Sequence, residues 1–179
     1  MDFFEAAETR HSYRGIYTND VVCKADLMRI IDAGRRAPSG CNAQTTSFIV
    51  VTNAEIRAQF AKLLDKKTVQ TAPAFIVVVT EKVTFDFGPD FRDFGLMDFE
   101  LEDYAAAVQN ILLAATALGY ASCWLDGAVR GSGADAKIAA LLDVPQGKRV
   151  RCILPIGVPA NPGKQPKRKP FDEKVTWLL

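Results

Sequence analysis

The chain has 179 residues, the size of one domain, and at 49% hydrophobic and 24% charged it has the makeup of an ordinary soluble globular protein. Lys and Arg number 22 against 21 Asp and Glu, a net charge of +1, so no whole-chain field points to nucleic acid or a membrane surface. The opening MDFFEAAETRHSYR places acids where an export signal needs bases, and no apolar run nears the ~20 residues of a membrane span. The 4 cysteines (Cys23, Cys41, Cys123, Cys152) form no CxxC pair, so reduced thiols in a cytoplasmic protein are expected. His11 is the only histidine, which argues against Cys/His metal sites and leaves one candidate for any His-dependent triad.

A short helix is expected over residues 2–9. Leu27, Ile30, Ile31 and Gly34 recur at helical spacing over 24–34, and Arg35-Arg36 supply charge suited to a helix C-terminus. The polar stretch 35–47 leads into an apolar strand at 48–52. Asn53 is a good N-cap for a helix with Ile56, Phe60, Leu63 and Leu64 on one face. The unbroken apolar run Ala74–Val79 reads as a strand buried on both faces. Leu101–Leu118 is a long Ala-rich helix closed by Gly119, apolar nearly all round, which places it in a core or a subunit interface. Strands at 121–125 and 149–156 and a helix at 134–142 follow. The tail Lys174–Leu179 reads as a final strand or as an arm that docks its apolar side chains elsewhere. The alternation points to a mixed α/β layer fold.

Residues 81–103 stand apart. They hold 8 acids, 2 bases and 5 of the 11 Phe with poor periodicity. A solvated loop does not need that many aromatics, so an excursion covering a cavity is expected.

Three stretches could carry chemistry. If Thr9–Gly15 is extended, Arg10, Ser12 and Arg14 share one side. Two guanidinium groups flanking a hydroxyl would grip a phosphate, although a surface charge cluster reads the same way. A second basic group, Lys164, Lys167, Arg168 and Lys169, would complete that grip if the fold brings it beside residues 10–14. In the 38–44 loop, Ser39 and Gly40 permit close backbone approach. Asn42 and Gln44 each offer one acceptor and two donors, suited to a flat heterocycle or simply to satisfying loop backbone. Cys41 lacks an activating partner, so a catalytic thiol is not expected. Gly131–Ala136 fits G-x-G-x-x-A, but the preceding strand ends five residues early and no acid follows about 20 residues on. A nicotinamide-binding Rossmann domain is therefore the weakest reading.

In order, Arg10–Arg14, Ala37-Pro-Ser-Gly-Cys-Asn-Ala-Gln44, Ala72-Pro73, Gln109–Ala115 with Leu118-Gly119, Cys123-Trp-Leu-Asp-Gly127, Leu154-Pro-Ile-Gly157 and Arg168-Lys-Pro170 resemble the nitroreductase family of flavin enzymes over nearly the whole chain. The resemblance implies one nitroreductase-like α+β domain over 1–179, a three-layer fold with a central mixed sheet flanked by helices, and an intertwined homodimer with helix 101–118 at its core. It implies FMN at the subunit interface. Arg10, Ser12, Arg14, Arg168 and Lys169 would lie at the phosphate and ribityl end, and His11 would contribute near the flavin through its backbone or ring. Pro38, Ser39, Gly40, Asn42 and Gln44 would come from the partner subunit against the ring, with the backbone of Leu125, Asp126 and Gly127 near flavin N5.

The implied reaction is ping-pong transfer of hydride from NAD(P)H to a nitroarene, quinone or similar small acceptor, with no side-chain nucleophile and no metal. Alternatives are a flavin-binding or sensing module without turnover, or another reaction of the same fold such as reductive dehalogenation. Thr45 stands where relatives often carry Pro, so a different turn into the strand is expected. The excursion's acids, including Asp86, Asp90 and Asp93, would disfavour anionic acceptors.

Overall fold

The computed structural model describes residues 1–86, 88 and 96–178. Elements start where capping chemistry allows. Asp2 accepts from the Glu5 amide while Glu5 accepts from the Asp2 amide, a capping box that opens α1 (Phe3–Thr9). The Cys23 thiol caps α2 (Lys24–Arg35) by accepting from the Asp26 amide. After β1 (Thr46–Val51), Asn53 starts α3 (Ala54–Leu63), its side chain accepting from the Glu55 and Ile56 amides at 2.9 and 3.0 Å. One turn, α4 (Lys67–Gln70), precedes β2 (Ala74–Glu81). A small hairpin of β3 (Thr84–Asp86) and β4 (Leu96–Asp98) leads into α5 (Glu100–Ala117). That helix ends in a Schellman motif, with Gly119 at a φ of 85° and the Gly119 and Tyr120 amides donating to Thr116 and Ala115. β5 (Ala121–Ser122), α6 (Gly127–Gly131), α7 (Ala134–Leu141) and β6 (Lys148–Gly157) follow.

The main sheet has the order β1-β2-β6-β5, and all its strand pairs are antiparallel. An isolated parallel bridge joins Ser12 to Ser122. Elements alternate along the chain, yet the strands meet antiparallel, so the class is α+β. β2 is central and buried on both faces, as its apolar run requires. Phe75, Val77 and Val79 enter one cluster with Phe60 of α3 and Ile138 of α7. Ala74, Ile76 and Val78 enter the other with Ile30 of α2 and Val108 and Ile111 of α5. Helices therefore cover both sheet faces in three layers. Each buried Val, Ile or Phe contributes about 1.5–3 kcal/mol to holding them together.

Two expected strands come out differently. Between 121 and 125 only Ala121–Ser122 form a strand, and Leu125 rejoins β6 through an isolated bridge to Ile153. Between them Trp124 leaves the sheet to line a cavity, while Cys123 stays buried. Lys174–Leu178 form no strand within this chain, and Trp177 and Leu178 are 70% and 95% exposed. Among the described residues no helix is long and apolar enough to cross a membrane.

Candidate functional site

A cavity of about 410 Å³ opens where the N-terminal segment, α4 and the β5–α6 connection meet, lined by Arg14, Lys66, Lys67, Thr68 and Trp124–Ala128. Its volume falls within the ~300–1,000 Å³ of small-molecule sites. Local chemistry places each side. Residues 10–14 are held extended by the Ser12–Ser122 bridge and by the Tyr13 amide donating to Ser122 O at 2.9 Å. Tyr13 is thereby buried and Arg14 exposed, the period-2 alternation of extended chain. Beneath them burial pushes the Cys123 thiol up, while the charges of Arg14 and Lys66 act the other way.

The single acid of the cavity lining is already neutralised. Asp126 accepts from Arg130 Nε and, at 2.8 Å, from the Tyr104 hydroxyl. Burial would raise its carboxyl, but these two bonds and the charges of Arg130 and Arg151 hold it below the ordinary carboxylate range. Burial, then the Asp126 carboxylate, push the Tyr104 phenol up. Arg151 reaches this network through a bulge. The register passes from Val78–Cys152 to Val79–Val150, so Arg151 has no partner residue on β2, and its guanidinium lies 5.0 Å from the Tyr104 ring centre. With its carboxylate committed, Asp126 gives α6 no side-chain cap; its carbonyl takes the Val129 and Arg130 amides, and the Gly127 and Ala128 amides of the cavity lining receive no cap from it.

The site thus offers three cations, an aromatic ring and backbone donors, with its acid paired. That donor set fits an anionic, phosphorylated ligand with a flat polar-edged ring.

The structure brings Arg14 together with Leu125, Asp126 and Gly127 in one cavity lining, and adds Lys66 and Lys67. A Lys-Lys pair in a polar stretch looks like a solvated face, so nothing in the sequence singled it out. Pro38, Ser39 and Gln44 lie elsewhere. They line a pocket of only about 150 Å³ with Arg35, Thr46 and Asp103. Gly40 and Thr45 of that loop bond the Asp103 carboxylate. Gln44 partly serves the loop itself, its amide donating to Ser39 Oγ at 3.0 Å and its side chain to Asn42 O at 3.4 Å. Asn42 and Cys41 are exposed.

The Arg10 backbone and the His11 ring meet the C-terminal segment. Gln165 donates to Ala7 O and Arg10 O at 3.1 and 2.8 Å. Gly163 backs onto His11 so closely that a Cβ would fall 2.0 Å from Nε2. His11 Nδ1 lies 3.0 Å from Thr9 O, so Nδ1 donates, and Nε2 is buried without a partner. The fold therefore sets the start of the basic run beside Arg10, while Arg168 and Lys169 are exposed.

Of the excursion, Phe85 and Phe99 pack ring to ring at 6.0 Å, and Asp90 and Asp93 lie outside the described residues. The G-x-G-x-x-A stretch is the junction of two helices: Gly131 ends α6, and Gly133 precedes α7 at a φ of 69°. No strand feeds into it, so it is no dinucleotide loop.

The sequence model of the nitroreductase family matches residues 7–69 and 61–158. The chain belongs to the nitroreductase family. A Methanothermobacter thermautotrophicus protein named for NADH dehydrogenase and NAD(P)H nitroreductase is 31% identical over 170 residues, spanning 91% of this chain and 81% of that protein. An NADPH-flavin oxidoreductase of Vibrio harveyi is 29% identical over 171 residues, or 91% and 68% of the two chains. A nitroreductase homologue of Desulfovibrio desulfuricans, solved in complex with FMN, matches with a TM-score of 0.79 at 26% identity over 100% of this chain and 98% of that one.

Proposed function

We propose that this nitroreductase-family chain is an FMN-dependent oxidoreductase that passes hydride from NAD(P)H to a small acceptor such as a nitroarene or quinone. The observation that carries the reading is the cavity in which Arg14, Lys66 and Lys67 gather around the Leu125–Gly127 backbone with its only acid paired. Bound there, FMN supplies the two-electron chemistry. Arg14, with Lys66 and Lys67, offers the positive charge a phosphate and an electron-rich ring edge require. Asp126's bonds to Tyr104 and Arg130 fix the Asp126-Gly127 backbone at the cavity, where it would face the flavin ring. Arg10, Ser12, Arg168 and Lys169 remain proposed contributors at the phosphate and ribityl end and His11 near the flavin, with Gln165 tying the tail to Arg10.

The second half of the site comes, in this reading, from the partner subunit of a homodimer. The 150 Å³ pocket beside Pro38, Ser39 and Gln44 is too small for a nucleotide by itself. The loop that shapes it, Pro38–Gln44, would instead lie against the partner's flavin. The half-exposed Ala105, Ala106, Leu113 and Ala117 of α5 and the exposed Trp177 and Leu178 of the tail are apolar surfaces that a second copy would cover. Of the described residues of the 81–103 stretch, Phe99 packs on Gly40 of this loop. All 4 cysteines are free, which suits a reducing cytoplasm.

Titration of flavin-free protein with FMN, FAD and riboflavin, followed by flavin fluorescence, tests the cavity assignment. FMN should bind at least tenfold more tightly than riboflavin, about 1.4 kcal/mol for the phosphate grip. Equal binding of riboflavin would contradict it.

A further inference from the structure

Asp103 lies in the first turn of α5 and is 4% exposed. Both carboxylate oxygens are committed to the cofactor loop: Oδ1 accepts from the Gly40 amide and Oδ2 from the Thr45 hydroxyl, each at 2.8 Å. Between these anchors the backbone is costly. Cys41, Asn42 and Gln44 sit at φ values of 50°, 55° and 51°. The left-handed region is disfavoured for non-glycine residues, least for Asn, and such residues persist only where the surroundings over-determine them. Inside the loop the support is modest: the Asn42, Ala43 and Gln44 amides donate to Ser39 O, Gly40 O and Ser39 Oγ at 3.0, 2.9 and 3.0 Å. The anchors to α5 supply the rest.

We infer that Asp103, acting with Thr45, is a positioning residue that holds the 38–44 loop in its flavin-competent form. The inference rests on the reading that this loop serves the flavin site. It also accounts for Thr45: a proline there would have no hydroxyl to give Asp103. Because the chain enters α5 directly from the excursion, Phe99 against Gly40 and Asp103 four residues later make one base for both the loop and its cover.

The chemistry of the anchors defines the test. Asp103→Asn keeps an oxygen for the Gly40 amide and offers an N–H to the Thr45 hydroxyl, which accepts as well as donates. Asp103→Ala removes both bonds. If the competent loop falls to about one molecule in ten, the apparent FMN Kd rises about tenfold.

The expected series is a tenfold or greater rise for Asp103→Ala, a change within about threefold for Asp103→Asn, and a return of the tenfold loss when Thr45→Val is added to Asp103→Asn. In flavin-free protein, amide hydrogen exchange at residues 40–45 should quicken in Asp103→Ala and not in Asp103→Asn, with far-UV circular dichroism confirming that each variant is folded. Wild-type exchange and wild-type Kd in Asp103→Ala would overturn the inference. So would an Asp103→Asn as impaired as Asp103→Ala, since charge rather than the two bonds would then hold the loop. Should the wild-type protein bind no FMN, the functional reading fails, and the exchange comparison still decides whether Asp103 holds the loop.

Discussion

Gly40→Ala tests the packing that joins loop and excursion. An added Cβ would lie 2.1 Å from Phe99 Cγ, 2.3 Å from Cδ2 and 2.6 Å from Cβ. Carbon contacts settle near 3.5–4.0 Å, so the Phe99 ring or the loop must yield by roughly 1.5 Å. The ring is braced by Phe85 at 6.0 Å, and the Gly40 amide is fixed on Asp103, so neither moves freely. Overpacking of this kind costs about 1–3 kcal/mol. For a chain of this size roughly 2–4 °C of Tm is lost per kcal/mol, so a fall of about 5 °C is expected. Displacement of the loop should also weaken FMN binding. Gly131→Ala is the control, since no atom lies within 4 Å of its added Cβ and it lies outside the cavity lining. Thermal melts of both variants with and without FMN decide the matter. A Gly40→Ala protein that melts within about 1 °C of wild type and binds FMN normally would refute the packing argument.

Arg14→Ala should weaken FMN binding by about tenfold or more, the loss of a charge-assisted contact worth ~1.5–3 kcal/mol, and leave riboflavin affinity nearly unchanged in the same fluorescence titration. Arg149→Ala strands the Glu100 carboxylate, which is 1% exposed and otherwise bonded by Thr80, so chemical denaturation should show a loss of about 3 kcal/mol. Burial acts to raise the Glu100 carboxyl, but bonds from Arg149 and Thr80 and the charges of Arg149 and Arg151 hold it below its ordinary value. Its contribution is therefore fully present above the ordinary carboxylate range and lost as pH falls through the lower folded value, so acid titration of wild-type stability should drop below about pH 4 and do so less in Glu100→Gln. Gly131→Ala should raise stability by about 0.5–1 kcal/mol without altering cofactor binding, because Gly131 is helical with open space at its Cβ.

Much of this was legible in the chain because single strong patterns carry it. The run Ala74–Val79 has no polar interruption and becomes the doubly buried β2; Asn53 and Gly119 respectively start and stop helices through bonds that their side chain or conformation permits. The alternation in residues 10–14 likewise brought Arg14 to the cavity. What stayed hidden depends on long-range pairing. Asp103 and Asp126 look solvated in acidic or polar surroundings, and only the fold commits them to Gly40, Thr45, Tyr104 and Arg130. Arg151 sits in an apolar strand where no local signal marks a bulge. The tail's apolar residues stand out in the sequence, but no periodicity says what they meet, and Trp177 and Leu178 are exposed in this chain.

The most direct test of the central claim is the visible spectrum of the purified protein, reconstituted with FMN and followed anaerobically as NADH and then NADPH are added. The account predicts a yellow protein whose absorbance bleaches with at least one donor and returns when a quinone or nitroarene is supplied. A protein that remains colourless with FMN, or a yellow one that neither donor bleaches, would contradict it.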